Sequence, residues 1–200
     1  MEVMTEHRPH RLKNRHDYLP AAGHDAFLPG YDLLTRVLGM NPAYRELVAQ
    51  AGLSGGQRIV EIGCGTGNLT IRAKKACPGA DIVGTDPDPR ALQRAQRKAK
   101  GMNGINFTRA YAQELPFDDG GFDLALSSMM LHHLDEATKT AAARELFRVL
   151  RPGGRLHVVD VRGDALARLF EDAGFECAVV GSGRIRLAGR LTYLRAIRPV

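Results

Sequence analysis

The fold is decided by the stretch Val60-Glu61-Ile62-Gly63-Cys64-Gly65-Thr66-Gly67-Asn68, which lies between an apolar run and a helical pattern. Gly63, Gly65 and Gly67 allow the backbone to turn tightly and to approach a ligand that a Cβ atom would exclude. Their spacing is G-x-G-x-G, which differs from the G-x-G-x-x-G of pyrophosphate-binding loops. The stretch therefore predicts a ligand-binding turn between a strand and a helix.

An acidic residue supports this interpretation. Asp86 ends the next apolar run, 19 residues after Gly67. Near this spacing, a carboxylate accepts hydrogen bonds from both hydroxyls of a ribose. Its negative charge disfavours a ribose that carries a 2′-phosphate. Together, the loop and the carboxylate predict a ligand that contains a ribose.

Apolar runs alternate with helical patterns along the rest of the chain. Strands are predicted at 58–62, 81–85, 105–110, 122–127, 155–160, 175–180 and 192–197. Helices are predicted between 26 and 51 (two segments), over 67–76, after caps at Asp88 and Asp135, and from a cap at Asp164 to Gly174. The Asp135 helix is expected to run to Leu150 and to end at Pro152-Gly153-Gly154. This alternation predicts an α/β fold with a seven-stranded, mostly parallel sheet, helices on both faces and an antiparallel edge hairpin.

Length and composition fit one globular domain. The 200 residues are 44% hydrophobic and 25% charged. We expect residues 1–24 to form a flexible or loosely docked arm and residues 25–200 to form a single domain. No apolar run approaches the roughly 20 residues of a membrane helix, and no signal peptide is recognised. Three scattered cysteines, Cys64, Cys77 and Cys177, favour a reduced, cytoplasmic protein.

The positive net charge is a possible sign of a nucleic-acid partner. The formal charge of +6 is spread over the N-terminus, one helix and the C-terminal part. Aromatic residues do not alternate with these cations as they do on a base-stacking surface. A nucleic-acid partner is therefore disfavoured.

Four stretches together resemble the class I S-adenosylmethionine-dependent methyltransferases, in particular the type-11 group that includes the ubiquinone and menaquinone C-methyltransferases. They are VEIGCGTGNLT at 60–70, GTDPDPRAL at 84–92, AQELPFDDGGFDLALSSMMLHHL at 112–134 and ELFRVLRPGGRL at 145–156. They follow one another in the family order. The resemblance implies a Rossmann-like methyltransferase domain, an enzyme whose cofactor is S-adenosylmethionine.

The resemblance also implies roles for individual residues. Gly63, Gly65 and Gly67 would pack against the methionine and ribose part of the cofactor. The hydroxyls of the ribose would be held by Asp86, and Pro87 would border the adenine.

Three further positions correspond to cofactor contacts of the family. Glu61 matches the acidic residue that helps to hold the methionine ammonium, and Ser127 would lie beside the methionine arm. Family members usually have Asp-Ala before the E-L-P-F segment, whereas this chain has Tyr111 followed by Ala112. The adenine is therefore expected to contact the Tyr111 phenol and the Ala112 amide.

Two candidates for a general base follow the fourth and fifth predicted strands. Adjacent residues such as His132 and His133 point in different directions, so no metal site is expected from this pair. We interpret the pair as pocket-shaping, with His133 as a candidate catalytic base. Asp160, at the end of the fifth strand, is the rival base.

A small organic molecule is the favoured acceptor. No Asn-Pro-Pro-Tyr or Asp-Pro-Pro-Tyr segment follows the fourth strand, which disfavours methylation of exocyclic amino groups of bases. Three alternatives stay open: a methyltransferase acting on RNA or protein, a non-catalytic S-adenosylmethionine-binding module, and a nicotinamide oxidoreductase.

The acceptor needs a cover that excludes water. Only three residues separate Asp160 from the cap predicted at Asp164, where related methyltransferases often insert a helix or a long loop. We expect residues 15–40 to fold over the carboxyl edge of the sheet as an N-terminal helical lid, with Tyr18 and Tyr31 pointing toward the methionine end or the acceptor. The alternative is that these helices only cap the core.

Overall fold

The computed structural model describes residues 40–161, 163–185 and 189–200. The helices in these ranges are α1 (Met40–Ala51), α2 (Asn68–Ala76), α3 (Pro89–Lys98), α4 (Glu136–Val149) and α5 (Gly163–Asp172). The strands are β1 (Arg58–Ile62), β2 (Asp81–Asp86), β3 (Ile105–Arg109), β4 (Phe122–Ser128), β5 (Leu150–Asp160), β6 (Glu176–Ile185) and β7 (Gly189–Ile197). The predicted arm at 1–24, and the predicted lid apart from Met40, lie outside the described residues.

The seven strands form one sheet in the order β3-β2-β1-β4-β5-β7-β6. Parallel pairing joins β3 to β2, β2 to β1, β1 to β4 and β4 to β5. Strand β7 runs antiparallel between β5 and β6. The prediction of a mostly parallel α/β sheet with an antiparallel edge hairpin is confirmed. Because the chain winds outward from β1 to β3 and then returns to β4, the strand order switches between β1 and β4, where ligands bind in such sheets.

Helices cover both faces of the sheet, as predicted. Alternate residues of β1 point to opposite faces: Ile59 belongs to one apolar core, whereas Val60 belongs to the other. The first core contains the buried side of α1 and α2, represented by Leu47. The second contains α4 and α5, represented by Leu146 and Phe170. None of the helices in the described ranges has the length and apolarity that crossing a bilayer requires.

Two of the predicted helix caps are confirmed. The Asp88 side chain accepts a hydrogen bond from the Arg90 amide at 2.8 Å, and Pro89 opens α3. The Asp135 side chain accepts one from the Thr138 amide at 2.8 Å. Such caps satisfy backbone donors that have no partner within the helix.

Other boundaries differ from the predictions. Helix α5 begins at Gly163, so the prediction of Asp164 as its cap was wrong. Helix α4 ends at Val149 instead of at the Pro-Gly-Gly segment, because Leu150 already pairs with Phe122 in the sheet. Strand β6 continues to Ile185, beyond the apolar pattern that ended at Val180, because its backbone pairs with β7 as far as Gly189.

Candidate cofactor site

The Asp86 carboxylate connects the end of β2 to the glycine loop. Its Oδ2 accepts a hydrogen bond from the Gly65 amide at 2.8 Å, and its Oδ1 accepts one from the Asp88 amide at 2.9 Å. Asp86 is 7% exposed, and burial is the main reason that the pKa of its carboxyl rises to about 6. Each carboxylate oxygen can accept a second hydrogen bond. Asp86 can therefore hold the loop and still accept from a ribose, while Pro87 directly follows it at the same edge.

A second buried carboxylate lies on the neighbouring strand. Glu61, in β1, is 2% exposed and accepts a hydrogen bond from the Thr70 hydroxyl of α2. Burial, opposed by the hydrogen bond with Thr70 and assisted by the nearby Asp86 carboxylate, raises the pKa of the Glu61 carboxyl to about 8. The group is therefore mostly protonated at neutral pH without a ligand. A bound cation would favour its ionised form.

Gly63 lies where the loop after β4 meets the glycine loop. Its φ is 66°, and a Cβ atom added there would lie 2.2 Å from Cγ of Met130. Met129, just before, has a φ of 54°, the one positive value of a non-glycine residue in the described ranges. Such a conformation costs on the order of 1–3 kcal/mol and is common near functional sites. The absence of a side chain at Gly63 thus leaves room above the loop, which the Met130 side chain occupies.

Gly67 permits close packing between neighbouring elements of the fold. Its φ is 75°, and an added Cβ would lie 2.9 Å from Cβ of Ala95 and 2.9 Å from Cε1 of Phe107. A side chain at this position would therefore point into α3 and β3. The glycine permits close packing between these elements and the start of α2, which positions the loop.

Ser127 lies at the carboxyl end of β4, between Ile62 of β1 and Val158 of β5. Its side chain is fully buried, and its Oγ has no hydrogen-bond partner among the residues that the structure describes. The Oγ of Ser128 is also buried and has no hydrogen-bond partner among the described residues. Because buried polar groups are nearly always paired, these hydroxyls suit a site in which a ligand supplies a partner.

The residues at the adenine position lie beside Asp86. Tyr111 follows β3 and forms an isolated antiparallel bridge with Glu114. Just before it, the Ala110 amide donates to the Asp86 carbonyl at 3.3 Å. The fold thus places Tyr111 and the half-buried Ala112 at the edge that carries the ribose carboxylate.

The structure pairs Asp160 with His132, not with His133. Asp160 is fully buried at the end of β5, and its Oδ1 lies 2.6 Å from Nδ1 of His132. His132 belongs to a single 3₁₀ turn, Leu131–His133, which is separated from the end of β4 by two residues. The sequence indicated Asp160 and His133 as base candidates and His132 only as pocket-shaping, because neither histidine carries a local signal for its partner.

His133 stacks obliquely on its neighbour, with ring centroids 3.9 Å apart. Burial, followed by the proximity of His132, lowers the pKa of its imidazole, although Asp160 opposes this shift. His133 therefore stays a predicted base. The Asp160 carboxylate orients its neighbour His132 instead. In the described part of the chain, no three His, Cys, Asp or Glu side chains form a group that could hold a metal ion.

Comparisons with known proteins agree with this geometry. A protein-family profile described as "Methyltransferase domain" matches residues 59–154. The demethylmenaquinone methyltransferase of Thermus thermophilus is 38% identical over 136 residues, which cover 66% of this chain and 61% of that protein. Residues 59–154 therefore match a methyltransferase domain. The chain spans about three fifths of the length of the Thermus relative.

Solved structures share the methyltransferase fold. A SAM-dependent methyltransferase from Aquifex aeolicus matches with a TM-score of 0.72 and 17% identity, covering 86% of this chain and 97% of that one. The [4+2]-cyclase SpnF matches with a TM-score of 0.70 and 21% identity, covering 88% of this chain and 94% of that one. Both likenesses concern the fold alone.

The residues present suit S-adenosylmethionine, the cofactor of this family. The Asp86 carboxylate can accept from ribose hydroxyls, and the buried Glu61 carboxyl can face an ammonium group. The Ser127 hydroxyl, which has no hydrogen-bond partner among the described residues, lies at the same end of the sheet. The residues at this end of the sheet therefore fit S-adenosylmethionine.

Proposed function

We propose that the chain transfers a methyl group from S-adenosylmethionine to a small organic acceptor. The observation that carries this proposal is the Asp86 carboxylate, buried at the end of β2 and hydrogen-bonded to the Gly65 amide. When bound, the cofactor supplies an electrophilic methyl group on a sulfonium sulfur. The chain would align the acceptor with that group, and good alignment can lower a barrier by about 7–11 kcal/mol.

We further propose that the predicted cofactor residues act as a set. Asp86 and Pro87 would border the ribose and adenine, Glu61 would hold the methionine ammonium, and Ser127 would line the methionine arm. The remaining members are Gly63, Gly65, Gly67, Tyr111 and Ala112. Their position at the carboxyl ends of β1 to β4 supports this assignment.

The class of acceptor is inferred from two observations. The Thermus relative is named for a quinone, which is a small organic molecule. After β4, this chain has Ser127-Ser128-Met129-Met130, so it lacks a segment typical of base amino-group methylation. RNA and protein acceptors are therefore less favoured.

The proposal is tested first by calorimetry with S-adenosylhomocysteine and with NADH, and by mass spectrometry of molecules that co-purify with the protein. We expect binding of S-adenosylhomocysteine and none of NADH. Binding of NADH alone would overturn the proposal and favour an oxidoreductase.

The second step of the test is turnover with methyl-labelled S-adenosylmethionine and a cell extract, followed by identification of the labelled product. A labelled small molecule is the expected result. A fold does not by itself determine a reaction, as the likeness to a cyclase illustrates. Tight cofactor binding without any labelled product would favour the non-catalytic binding module.

We also propose that the protein acts in the cytoplasm. Its three cysteines are free thiols, two of them buried. Free thiols are typical of proteins in reducing compartments.

A further inference from the structure

We propose that His132, oriented by Asp160, is the general base that removes the proton from a phenolic hydroxyl of an aromatic acceptor. This inference rests on the proposed methyl transfer and specifies the class of its acceptor. It assigns a catalytic role to His132 and a positioning role to Asp160.

The hydrogen bonds of Asp160 determine which imidazole nitrogen is basic. Its Oδ1 accepts from the Val161 amide at 2.7 Å and lies 2.6 Å from Nδ1 of His132. Its Oδ2 accepts from the Leu131 amide at 3.1 Å. Because a carboxylate oxygen surrounded by donors acts as an acceptor, the neutral imidazole keeps its hydrogen on Nδ1. The lone pair is then on Nε2, the nitrogen on the far side of the ring from Asp160.

The fold brings this imidazole to the cofactor end of the sheet. Strands β4 and β5 are neighbours, and Ser128 pairs with Val159 just before the loops that carry His132 and Asp160. Met130, two residues before His132, contacts the glycine loop at Gly63. The side chain of His132 is 21% exposed, so a ligand in the crevice can reach it.

The surroundings of His132 favour an aromatic acceptor. Met129, Met130 and Leu134 are partly buried apolar side chains on the same loop. Thioethers make favourable contacts with aromatic rings. Met130 and Leu134 pack against the same core, so these two side chains can contact a flat ring while its hydroxyl meets the base.

The acidity of the acceptor must suit an imidazole base. A phenol, with a pKa of about 10, is acidic enough for a histidine side chain to remove its proton as methyl transfer proceeds. Aliphatic hydroxyls are much weaker acids than phenols. A neutral amine already carries a lone pair and needs no base before it reacts. Phenols are therefore the class of acceptor whose methylation a base formed by His132 and Asp160 assists most.

The proton transfer needs only the acceptor, His132 and Asp160. The hydroxyl O–H bond breaks, the proton moves to Nε2, and the electron pair stays on the oxygen, which becomes the nucleophile. The imidazolium is stabilised by the Asp160 carboxylate through Nδ1–H. The imidazolium then returns the proton to solvent, to which 21% of the His132 side chain is exposed.

Nuclear magnetic resonance of the ring nitrogens tests the orientation without any turnover. At pH 8, we expect His132 to carry its hydrogen on Nδ1 in the wild-type protein. In Asp160→Asn, the amide NH₂ can donate to Nδ1, so the hydrogen should move to Nε2. Asp172→Asn, at the exposed end of α5, is the matched control and should leave the spectrum of His132 unchanged. A hydrogen on Nε2 in the wild-type protein would overturn the proposal.

Turnover on two simple phenols tests the proton transfer itself. Phenol needs a base at pH 8, whereas 4-nitrophenol is already largely ionised. We expect His132→Gln to lose at least about 100-fold in turnover of phenol but less than about tenfold with 4-nitrophenol. Its affinity for S-adenosylhomocysteine should stay within about twofold of the wild-type value.

Each other outcome contradicts a different part of the proposal. Equal losses on both phenols, or a loss caused by His133→Gln instead, would overturn the role of His132. Failure of the wild-type protein to methylate either phenol, with S-adenosylhomocysteine still bound, would overturn the phenolic acceptor. Failure to bind S-adenosylhomocysteine would instead overturn the proposed methyl transfer.

Discussion

Replacing Glu61 by glutamine should make the ligand-free protein more stable and its cofactor binding weaker. Glu61 is buried in β1 beside Thr70 and Asp86, and burial is the main cause that raises the pKa of its carboxyl from 4.5 to about 8. Glutamine has nearly the same shape, and its side-chain oxygen can still accept from the Thr70 hydroxyl. The substitution therefore removes an ionisable group while it preserves the local packing.

The magnitude follows from the linkage between protonation and folding. A carboxyl whose pKa is raised in the folded state contributes stability that is fully present below pH 4.5 and is lost as the pH rises to about 8. Each pH unit in this window costs about 1.4 kcal/mol, so about 4 kcal/mol is lost between pH 5 and pH 8. Glu61→Gln has no such loss. For a chain of this size, 1 kcal/mol corresponds to about 2–4 °C in Tm.

Thermal unfolding, followed by circular dichroism at pH 5, 6.5 and 8, measures this effect. The Tm of Glu61→Gln relative to wild type should rise by roughly 10 °C between pH 5 and pH 8. Glu171→Gln is the matched control, because Glu171 is exposed on α5, and its Tm difference from wild type should not change with pH. A Tm difference for Glu61→Gln that is the same at all three pH values would refute the reasoning.

Cofactor binding provides a second measurement on the same residue. If Glu61 must ionise to hold the methionine ammonium, binding of S-adenosylhomocysteine at pH 7 releases nearly one proton per site. Calorimetry in buffers of different ionisation enthalpy detects this release. Glu61→Gln should bind without it and with at least about tenfold lower affinity, because it lacks the charged partner.

Three other substitutions test separate parts of the structure. Asp86→Asn should lower the affinity for S-adenosylhomocysteine at least about tenfold by calorimetry, whereas Asp172→Asn should not. Gly67→Ala should cost at least about 2 kcal/mol in urea unfolding, more than Gly101→Ala, because both glycines have positive φ but only a Cβ at Gly67 meets neighbouring atoms. Burial lowers the pKa of the His157 imidazole to about 4, so wild type should lose about 3 kcal/mol relative to His157→Leu as the pH falls from 6.5 to 4. Equal acid sensitivity of both proteins would contradict this last expectation.

Much of the fold could be predicted because its signals are local. The Asp88 and Asp135 caps act on amides two and three residues away, so a short window of sequence contains both partners. The alternation of apolar runs and helical patterns was sufficient to predict a parallel sheet, since parallel strands need crossover connections. The Gly63–Gly67 loop and Asp86 were recognisable as single features, and their order indicated a ribose-binding edge.

The boundaries that could not be predicted depend on pairing between distant segments. Strand β6 extends to Ile185 because β7 provides backbone partners, whatever the apolar pattern of its side chains. Strand β5 begins at Leu150 for the same reason, through Phe122 of β4. Hydrogen bonds between strands do not require apolar residues, so a hydrophobic pattern underestimates the length of a strand at the edge of the apolar core.

The sequence by itself determined which residues could bind a cofactor, because the glycine loop and Asp86 are specified by residue type and spacing. The tertiary structure alone decided how they act. It brought Gly67 close to α3 and β3, raised the pKa of the Glu61 carboxyl through burial, and joined Asp160 to His132 across 28 positions of sequence. Burial and long-range hydrogen bonds arise only when β1, β4 and β5 lie side by side, and no local pattern contains them.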